Sequence, residues 1–162
     1  MPDLFRHPTR NNGGIPLRRF GPRNKSGVTT IEMAGLSYPI TATEADIDEL
    51  GHVNNAVWVQ WIQEVALAHW FNVADPLHQE AYIWVVIRHE IDYLRAAFEG
   101  EVLTGRTWVG EAGPRGARCD RHMEFVGEDG KVRVRAVTQW AFVDKASGRP
   151  LRVPAEVIAP FL

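Results

Sequence analysis

A carboxylate-rich segment followed by a glycine and an asparagine pair stands directly before a long apolar stretch. Asp46 and Asp48 precede Gly51, and Asn54 and Asn55 come just before the apolar residues begin. Asparagine is a favourable helix N-cap, because its amide oxygen accepts free N–H groups of the first helical turn. The spacing therefore predicts an acidic side chain beside the amino end of a helix.

An acid at this place has the chemistry that acyl transfer needs. The helix dipole and the unpaired N–H groups keep a nearby carboxylate ionised, so it could act as a base or a nucleophile. The same N–H groups could stabilise a developing oxyanion, and Gly51 lets the chain turn sharply and a substrate approach. The structural alternative is that Asp46 and Asp48 are ordinary loop acids, and local evidence alone favours it.

The helix that follows is expected from about Asn54 to Asn72. Apolar side chains cover most of its circumference, and only Gln60, Gln63 and Glu64 form a narrow polar strip. A helix so nearly apolar all round is a buried helix. It therefore needs cover from a sheet and from a second subunit.

Strands with short turns between them are expected around this helix, one before it and four after it. We place them at residues 38–43, 82–95, 101–110, 117–126 and 131–143. Strands joined by short turns pair antiparallel, and one helix against such a sheet is an α+β fold. In the long second strand, alternation places one set of side chains on a single face: Val85, Ile87, His89, Ile91 and Tyr93.

The loop before the helix carries a recognisable pattern, Asp-x-Asp-x-x-Gly-His-Val-Asn-Asn-Ala at residues 46–56. This pattern resembles the signature of the 4-hydroxybenzoyl-CoA thioesterase family of hotdog-fold proteins. The similarity continues at residues 88–95, 138–144 and 148–150 and covers roughly residues 36–160. It implies a long central helix wrapped by a curved antiparallel sheet. It also implies a homodimer or homotetramer with active sites at the subunit interface.

The resemblance assigns roles to residues of the loop and the helix. Asp48 falls on the family's catalytic carboxylate, which attacks the thioester carbonyl or activates water. The backbone N–H of Asn55 falls where the family polarises that carbonyl. Apart from the resemblance, His52 could hydrogen-bond the substrate or orient Asp48, or it could be a satisfied loop histidine. Glu64 remains an alternative catalytic acid, because another branch of hotdog thioesterases uses a glutamate on the helix.

Other residues are candidates for substrate binding, each with a structural alternative. Trp58 could line an acyl or aryl pocket or simply fill the core. Arg88 and Arg95 could meet the phosphates of coenzyme A or remain solvated strand charges. His89 faces inward and could reach the helix start, although a structural role is preferred. His69 is interpreted as a core histidine with a partner.

Composition narrows the protein class. A formal net charge of −2 argues against a nucleic-acid or membrane-surface protein. One cysteine fits a reducing compartment, and no apolar run approaches the ~18 residues of a membrane span. No zinc-binding pattern or secretory signal is found, so we expect a cytoplasmic protein without a metal or cofactor. The coenzyme A moiety would belong to the substrate.

The chain is interpreted as one domain, residues 28–162, behind a disordered basic leader, residues 1–27. The leader is rich in arginine, proline and glycine and has no helical or strand period. A transit peptide, an anion-binding arm and an over-extended start codon remain alternatives. The leading interpretation is an acyl-CoA thioesterase. A non-catalytic acyl-CoA-binding or sensing protein is the second, and a hotdog dehydratase ranks last.

Overall fold

The computed structural model describes residues 30–32 and 35–162, so the predicted leader at residues 1–27 lies outside the described residues. The strands are β1 (Thr30–Glu32), β2 (Gly35–Thr41), β3 (Tyr82–Tyr93), β4 (Val102–Val109), β5 (Arg118–Gly127) and β6 (Val132–Asp144). The helices are α1 (Asn55–Val73), α2 (Pro76–Ala81) and α3 (Ala155–Ile158), with 3-10 turns at Glu44–Asp46 and Ala159–Phe161.

The described strands form one sheet in the order β1-β2-β4-β5-β6-β3. Every neighbouring pair is antiparallel. Strands β4, β5 and β6 follow one another in sequence and in space, which is the expected result of their short turns. Strand β3 crosses over to pair with β6 and forms one edge of the described sheet. The predicted α+β class is confirmed.

Helix α1 begins and ends within one residue of the predicted range. Asn54 is the N-cap, and its side-chain oxygen accepts a hydrogen bond from the N–H of Ala56 at 2.8 Å. Its buried face is mostly aromatic and branched, formed by Trp58, Trp61, Ile62, Val65, Ala66, His69 and Trp70. The short helix α2 was not predicted, although Asp75 at its N-cap followed by Pro76 is a typical start signal.

A glycine on β4 lets α1 lie close to the sheet. A Cβ at Gly105 would stand 2.9 Å from Cγ2 of Val65 and 3.1 Å from Cε1 of Phe125, closer than such atoms approach. The main core therefore forms between this part of the helix and the sheet, with Ile62, Val65, Leu103, Phe125 and Val134 fully buried in it.

The predicted faces of β3 are wrong in its first half. The register against β6 shifts between Val86 and Arg88, so the side-chain alternation reverses there. Val85 and Ile87 are 36% and 46% exposed, whereas His89 and Ile91 further along are half-buried. The expectation that all four share one face failed because a bulge depends on pairing with β6 and leaves no periodic signal in β3.

The chain ends differ modestly from expectation. The first long strand is Gly35–Thr41, slightly earlier than predicted, and β1 precedes it. Pro39 pairs with Thr104 of β4 beyond the end of β1, so its missing N–H breaks no ladder in the described sheet. The predicted tail folds into α3 and a 3-10 turn that buries Phe161.

Candidate active site

Asp46 is a structural acid of the loop before α1. Its Oδ2 accepts hydrogen bonds from the backbone N–H of Thr43 at 2.9 Å and from the Thr43 hydroxyl at 2.7 Å. Its backbone carbonyl accepts from the N–H of Asn54 at 2.9 Å. Asp46 thus shapes the loop and positions the helix cap.

Asp48 uses only one oxygen in the same loop. Oδ1 accepts hydrogen bonds from the N–H of Leu50 at 2.9 Å and of His52 at 3.4 Å. Oδ2 makes no hydrogen bond to any described residue. The turn is closed by Gly51, whose φ of 76° suits glycine. The loop therefore fixes the orientation of a half-buried carboxylate and leaves one oxygen for another molecule.

The first turn of α1 leaves one backbone N–H without an acceptor. The Asn54 side chain satisfies the N–H of Ala56, and the Asn54 carbonyl accepts from Val57 at 2.9 Å. The N–H of Asn55 donates to no atom of the described chain. This N–H sits at the positive end of the helix dipole. It is available to a developing negative charge.

Asp48 and Asn55 line the same cleft, which has a volume of about 500 Å³. The side of the helix contributes Trp58, and the opposite wall is the segment from Tyr93 to Ala96. The Tyr93 hydroxyl donates to the carbonyl of Asn55 at 3.4 Å. The cleft thus brings together the acid and the residue that carries the free N–H.

The opposite wall is held by β6. The N–H groups of Leu94 and Arg95 both donate to the carbonyl of Arg133, at 2.9 and 3.0 Å. The guanidinium of Arg133 is ion-paired with Glu101 at 2.6 Å, and both side chains are largely buried. The wall is therefore tied to a well-anchored residue of the sheet.

His52 and Trp58 occupy structural positions beside the acid. The ring of His52 packs edge-on against Phe98 at 5.2 Å. Its hydrogen bonds to Asp48 are made by the backbone: the His52 N–H donates to Oδ1 at 3.4 Å, and the His52 carbonyl accepts from the Asp48 N–H at 2.9 Å. Trp58 is 2% exposed and packs edge-on against Trp61 at 5.0 Å. Both residues line the cleft, so the structure brings them together with Asp48 and leaves their predicted roles untested.

Of the arginine and histidine candidates on β3 and just after it, Arg95 lines the cleft, whereas Arg88 and His89 do not. Arg95 lines the cleft, and its Nη1 donates to the carbonyl of Val132 at 2.9 Å. Arg88 is an exposed residue ion-paired with Glu90 at 2.7 Å and does not line the cleft. His89 also lies outside it, with Nδ1 2.9 Å from the Thr138 hydroxyl, and burial lowers its pKa.

Glu64 lies elsewhere on the helix. The Tyr38 hydroxyl donates to its Oε1 at 3.1 Å. Burial and the adjacent Glu64 raise the pKa of Tyr38. Glu64 does not line the cleft of Asp48 and Asn55. Its partner is Tyr38 instead.

A second concavity, which we call the Arg121 cavity, lies along the carboxyl-terminal half of α1. It has a volume of about 290 Å³ and is bounded by Trp70, Trp84, Arg121 and Phe161. Behind Arg121, His69 is 1% exposed and accepts from its Nη1 at 2.7 Å. The prediction that His69 is a core histidine with a partner is confirmed.

Sequence reasoning missed Arg121, although a signal existed. Cys119, Met123 and Phe125 on β5 are buried, and Arg121 has the same parity in the strand. An arginine in the buried register of a strand predicts a polar network or a ligand. Burial raises the pKa of the Cys119 thiol to about 11, so it remains the plain strand residue that was expected.

The described part of the chain holds no group of three or more His, Cys, Asp and Glu side chains suited to a metal ion. None of its helices has the length and hydropathy needed to cross a bilayer.

Known proteins resemble this chain in sequence and in structure. A palmitoyl-acyl carrier protein thioesterase of Gossypium hirsutum is 26% identical over 83% of this chain, which spans 36% of that relative. A predicted thioesterase from Bacillus stearothermophilus superposes with a TM-score of 0.70 at 20% identity, covering 79% of this chain and 94% of that one. A hypothetical protein from Staphylococcus aureus, in complex with CoA, superposes with a TM-score of 0.69 at 16% identity. The match covers 76% of this chain and 79% of that one.

The chain thus spans about a third of the length of the curated relatives it matches. The structural similarities show that the predicted hotdog fold is correct. The family model of the thioesterase-like superfamily matches residues 43–161, which include the acidic loop, α1 and the strands β3 to β6. The chain therefore belongs to the thioesterase-like superfamily.

Proposed function

We propose that this protein is a thioesterase that hydrolyses an acyl- or aryl-CoA to the free acid and CoA. The proposal depends on one observation. The unbonded Oδ2 of Asp48 and the unbonded N–H of Asn55 belong to residues that line one cleft. Membership of the thioesterase-like superfamily supports it. Within that superfamily, the loop pattern favours the 4-hydroxybenzoyl-CoA thioesterase branch.

The reaction needs a base and an oxyanion donor. Asp48 takes a proton from water as the water attacks the thioester carbonyl, and the Asn55 N–H stabilises the oxyanion. The C–S bond then breaks, and the departing sulfur takes the proton from Asp48. Alternatively Asp48 attacks the carbonyl itself, and water hydrolyses the resulting anhydride. Both routes yield a carboxylic acid and a thiol.

Substrate contacts follow from the cleft. Trp58 would lie beneath the substrate, His52 would border the reacting carbonyl, and Arg95 would meet a phosphate of coenzyme A. Gly51 does not line the cleft and would act only by letting the loop turn. The Staphylococcus aureus neighbour is in complex with CoA, whereas the Gossypium hirsutum relative is a palmitoyl-acyl carrier protein thioesterase. Assays with acyl-CoA and with acyl carrier protein thioesters of the same acyl group decide between these carriers.

The decisive experiment replaces the acid without changing its shape. Asp48→Asn keeps an oxygen for the N–H of Leu50 but removes the base, so we expect kcat to fall about 100-fold or more. Asp46→Asn is the matched control, because its carboxylate is engaged by Thr43; we expect it to retain most activity. Unchanged hydrolysis by Asp48→Asn would overturn the assignment.

The same assay separates the enzyme from a binding protein. Released thiol is measured over acyl-CoAs with short, long and aryl acyl groups, and binding is measured by calorimetry. A protein that binds acyl-CoA tightly and releases no thiol would be the non-catalytic acyl-CoA-binding protein instead.

We also propose that the protein is a homo-oligomer with active sites at a subunit interface. Strand β3 is a long edge of the described sheet and carries the exposed apolar side chains of Ile83, Val85 and Ile87. Such an edge is a template for strand pairing with another chain. Because β3 ends at Tyr93, which lines the cleft, a partner along this edge would lie beside Asp48's cleft.

A further inference from the structure

The Arg121 cavity has an apolar wall and a cationic lining. Its wall includes Trp70, Trp84 and Phe161. Arg121 and Lys145 line it, and no aspartate or glutamate of the described residues does. A volume of about 290 Å³ is near the lower end of known ligand pockets, which span roughly 300–1,000 Å³. The cavity therefore suits a small molecule with an apolar body and a negative charge.

Arg121 is oriented by neutral partners. Its Nη1 donates to Nδ1 of His69 at 2.7 Å and to the Thr107 hydroxyl at 3.2 Å. Thr107 in turn donates to the carbonyl of His122 at 3.0 Å. The guanidinium carbon lies 5.9 Å from the centre of the Phe161 ring. These contacts fix the position of a positive charge without neutralising it.

The other edge of the guanidinium is unused. Both hydrogen bonds of Arg121 involve Nη1, and Nε and Nη2 bond to no atom of the described chain. Burial lowers the pKa of Arg121 to about 10, so it remains charged at neutral pH. The Nε–Nη2 edge is the one that binds a carboxylate through two parallel hydrogen bonds.

Trp140 adds an aromatic side chain to the same cavity. Trp140 is 5% exposed, and its indole Nε1 is the one buried side-chain nitrogen or oxygen in the described residues without a hydrogen-bond partner. Trp140 is also a lining residue. Its Nε1 has almost no accessible surface, so it adds no donor that a bound molecule could reach. The unused donors of the cavity are therefore those of Arg121, and they indicate an acceptor that comes from a ligand. Lys145, whose Nζ donates to the Gln79 carbonyl at 2.6 Å, places a further cation there.

We propose that the Arg121 cavity binds the carboxylate of a small amphipathic organic acid, with Arg121 as the donor and the aromatic wall, which includes Trp140, against the apolar chain. The site lies along the carboxyl-terminal half of α1, away from the helix start where Asp48 and Asn55 line their cleft. Binding of the acid does not require the proposed thioesterase activity.

The carboxylate could come from two sources. It could be the far end of a dicarboxylic acyl group whose thioester is held elsewhere, which rests on the proposed function. It could instead be a free carboxylic acid bound by itself. Both share the carboxylate chemistry that Arg121 recognises.

Octanoate and octan-1-ol are matched probes, since they differ in charge and share the apolar chain. Titration of the full chain, followed by NMR, should show octanoate binding at least tenfold tighter than octanol, as one charge-assisted pair provides. Arg121→Met should remove this preference, whereas Arg118→Met, an exposed arginine on the same strand, should keep it. Equal binding of the two probes, or an unaffected Arg121→Met, would overturn the proposal.

Trp140 provides a readout that needs no change at Arg121, in case Arg121→Met fails to fold. Trp140→Phe identifies the indole resonance of Trp140 in the spectrum of the wild type. We expect that resonance to move when octanoate is added, and an unmoved resonance would contradict the proposal.

Thioester substrates then distinguish the two sources. If the carboxylate is part of the substrate, Arg121→Met lowers kcat/KM about tenfold for octanedioyl-CoA and leaves octanoyl-CoA unaffected. If it is a free acid, hydrolysis of both thioesters is equally insensitive to Arg121, while octanoate binding still depends on it. If neither thioester were hydrolysed, the proposed function would be refuted. The carboxylate site would not be, because the octanoate titration measures binding and needs no hydrolysis.

Discussion

Nη1 of Arg121 lies 2.7 Å from Nδ1 of His69, and this contact fixes the protonation state of a buried imidazole. Arginine has only donors, so Nδ1 of His69 must be the acceptor and the ring must be neutral. Burial, and then the neighbouring Arg121 charge, lower the pKa of His69 to about 3. A second positive charge on His69 would break this contact.

Stability is therefore expected to depend on pH through His69. In the unfolded chain His69 takes up a proton near its ordinary pKa of 6.5, but in the folded chain only near pH 3. Its contribution is complete above pH 6.5 and is lost as pH falls towards 3, by about 1.4 kcal/mol per pH unit. Urea unfolding at pH 7 and pH 5 should show a loss of about 2 kcal/mol from this residue.

His69→Asn is the control for that measurement, because the amide oxygen can accept from Arg121 and does not titrate. We expect its stability to fall less between pH 7 and pH 5 than that of the wild type. Burial also lowers the pKa of His89, which contributes a loss of the same sign in both proteins. If the wild type and His69→Asn had the same pH dependence, the folded structure would not be what keeps His69 neutral.

The exposed edge of β3 leads to a prediction on assembly. Val85 on β3 and Val102 on β4 have nearly equal exposure, 36% and 37%, but only Val85 lies on the edge strand of the described sheet. A charge on a pairing edge opposes association. Light scattering should show that Val85→Glu dissociates the oligomer and that Val102→Glu does not. A monomeric wild type at micromolar concentration would refute the oligomer.

Local signals account for the parts of the fold that were predicted from the sequence. Asn54 marked the start of α1 because an N-cap acts within its own turn. Alternation and short turns located β4, β5 and β6 for the same reason. The loop of Asp48 was recognised because its glycine and asparagines are close in sequence, and the structure does place Asp48 and Asn55 on one cleft.

Features that depend on distant pairing were not predictable in this way. The β3 bulge depends on β6, and it reversed the faces of Val85 and Ile87. The wall from Tyr93 to Ala96 is held by hydrogen bonds to the carbonyl of Arg133, which is far from it in sequence. Arg121 was missed because its role depends on contacts with His69 and Phe161, which are far from it in sequence.

The N-cap beside the proposed oxyanion site, Asn54, has a matched control in Asp75, the N-cap of α2. Asn54 Oδ1 accepts from Ala56 N at 2.8 Å, and Asp75 Oδ1 accepts from Leu77 N, also at 2.8 Å. Replacing either cap by alanine should cost about 0.5–2 kcal/mol of unfolding free energy. Only Asn54 adjoins the cleft of Asp48, since Asp75 begins α2.

Thioester hydrolysis should therefore separate the two variants. Asn54→Ala lets the first turn fray and moves the Asn55 N–H, so we expect kcat to fall about tenfold or more while KM changes little. Asp75→Ala should retain kcat despite a similar loss of stability in chemical denaturation. If both variants lost activity in proportion to stability, the cap would serve folding alone, and the oxyanion role of the Asn55 N–H would be refuted.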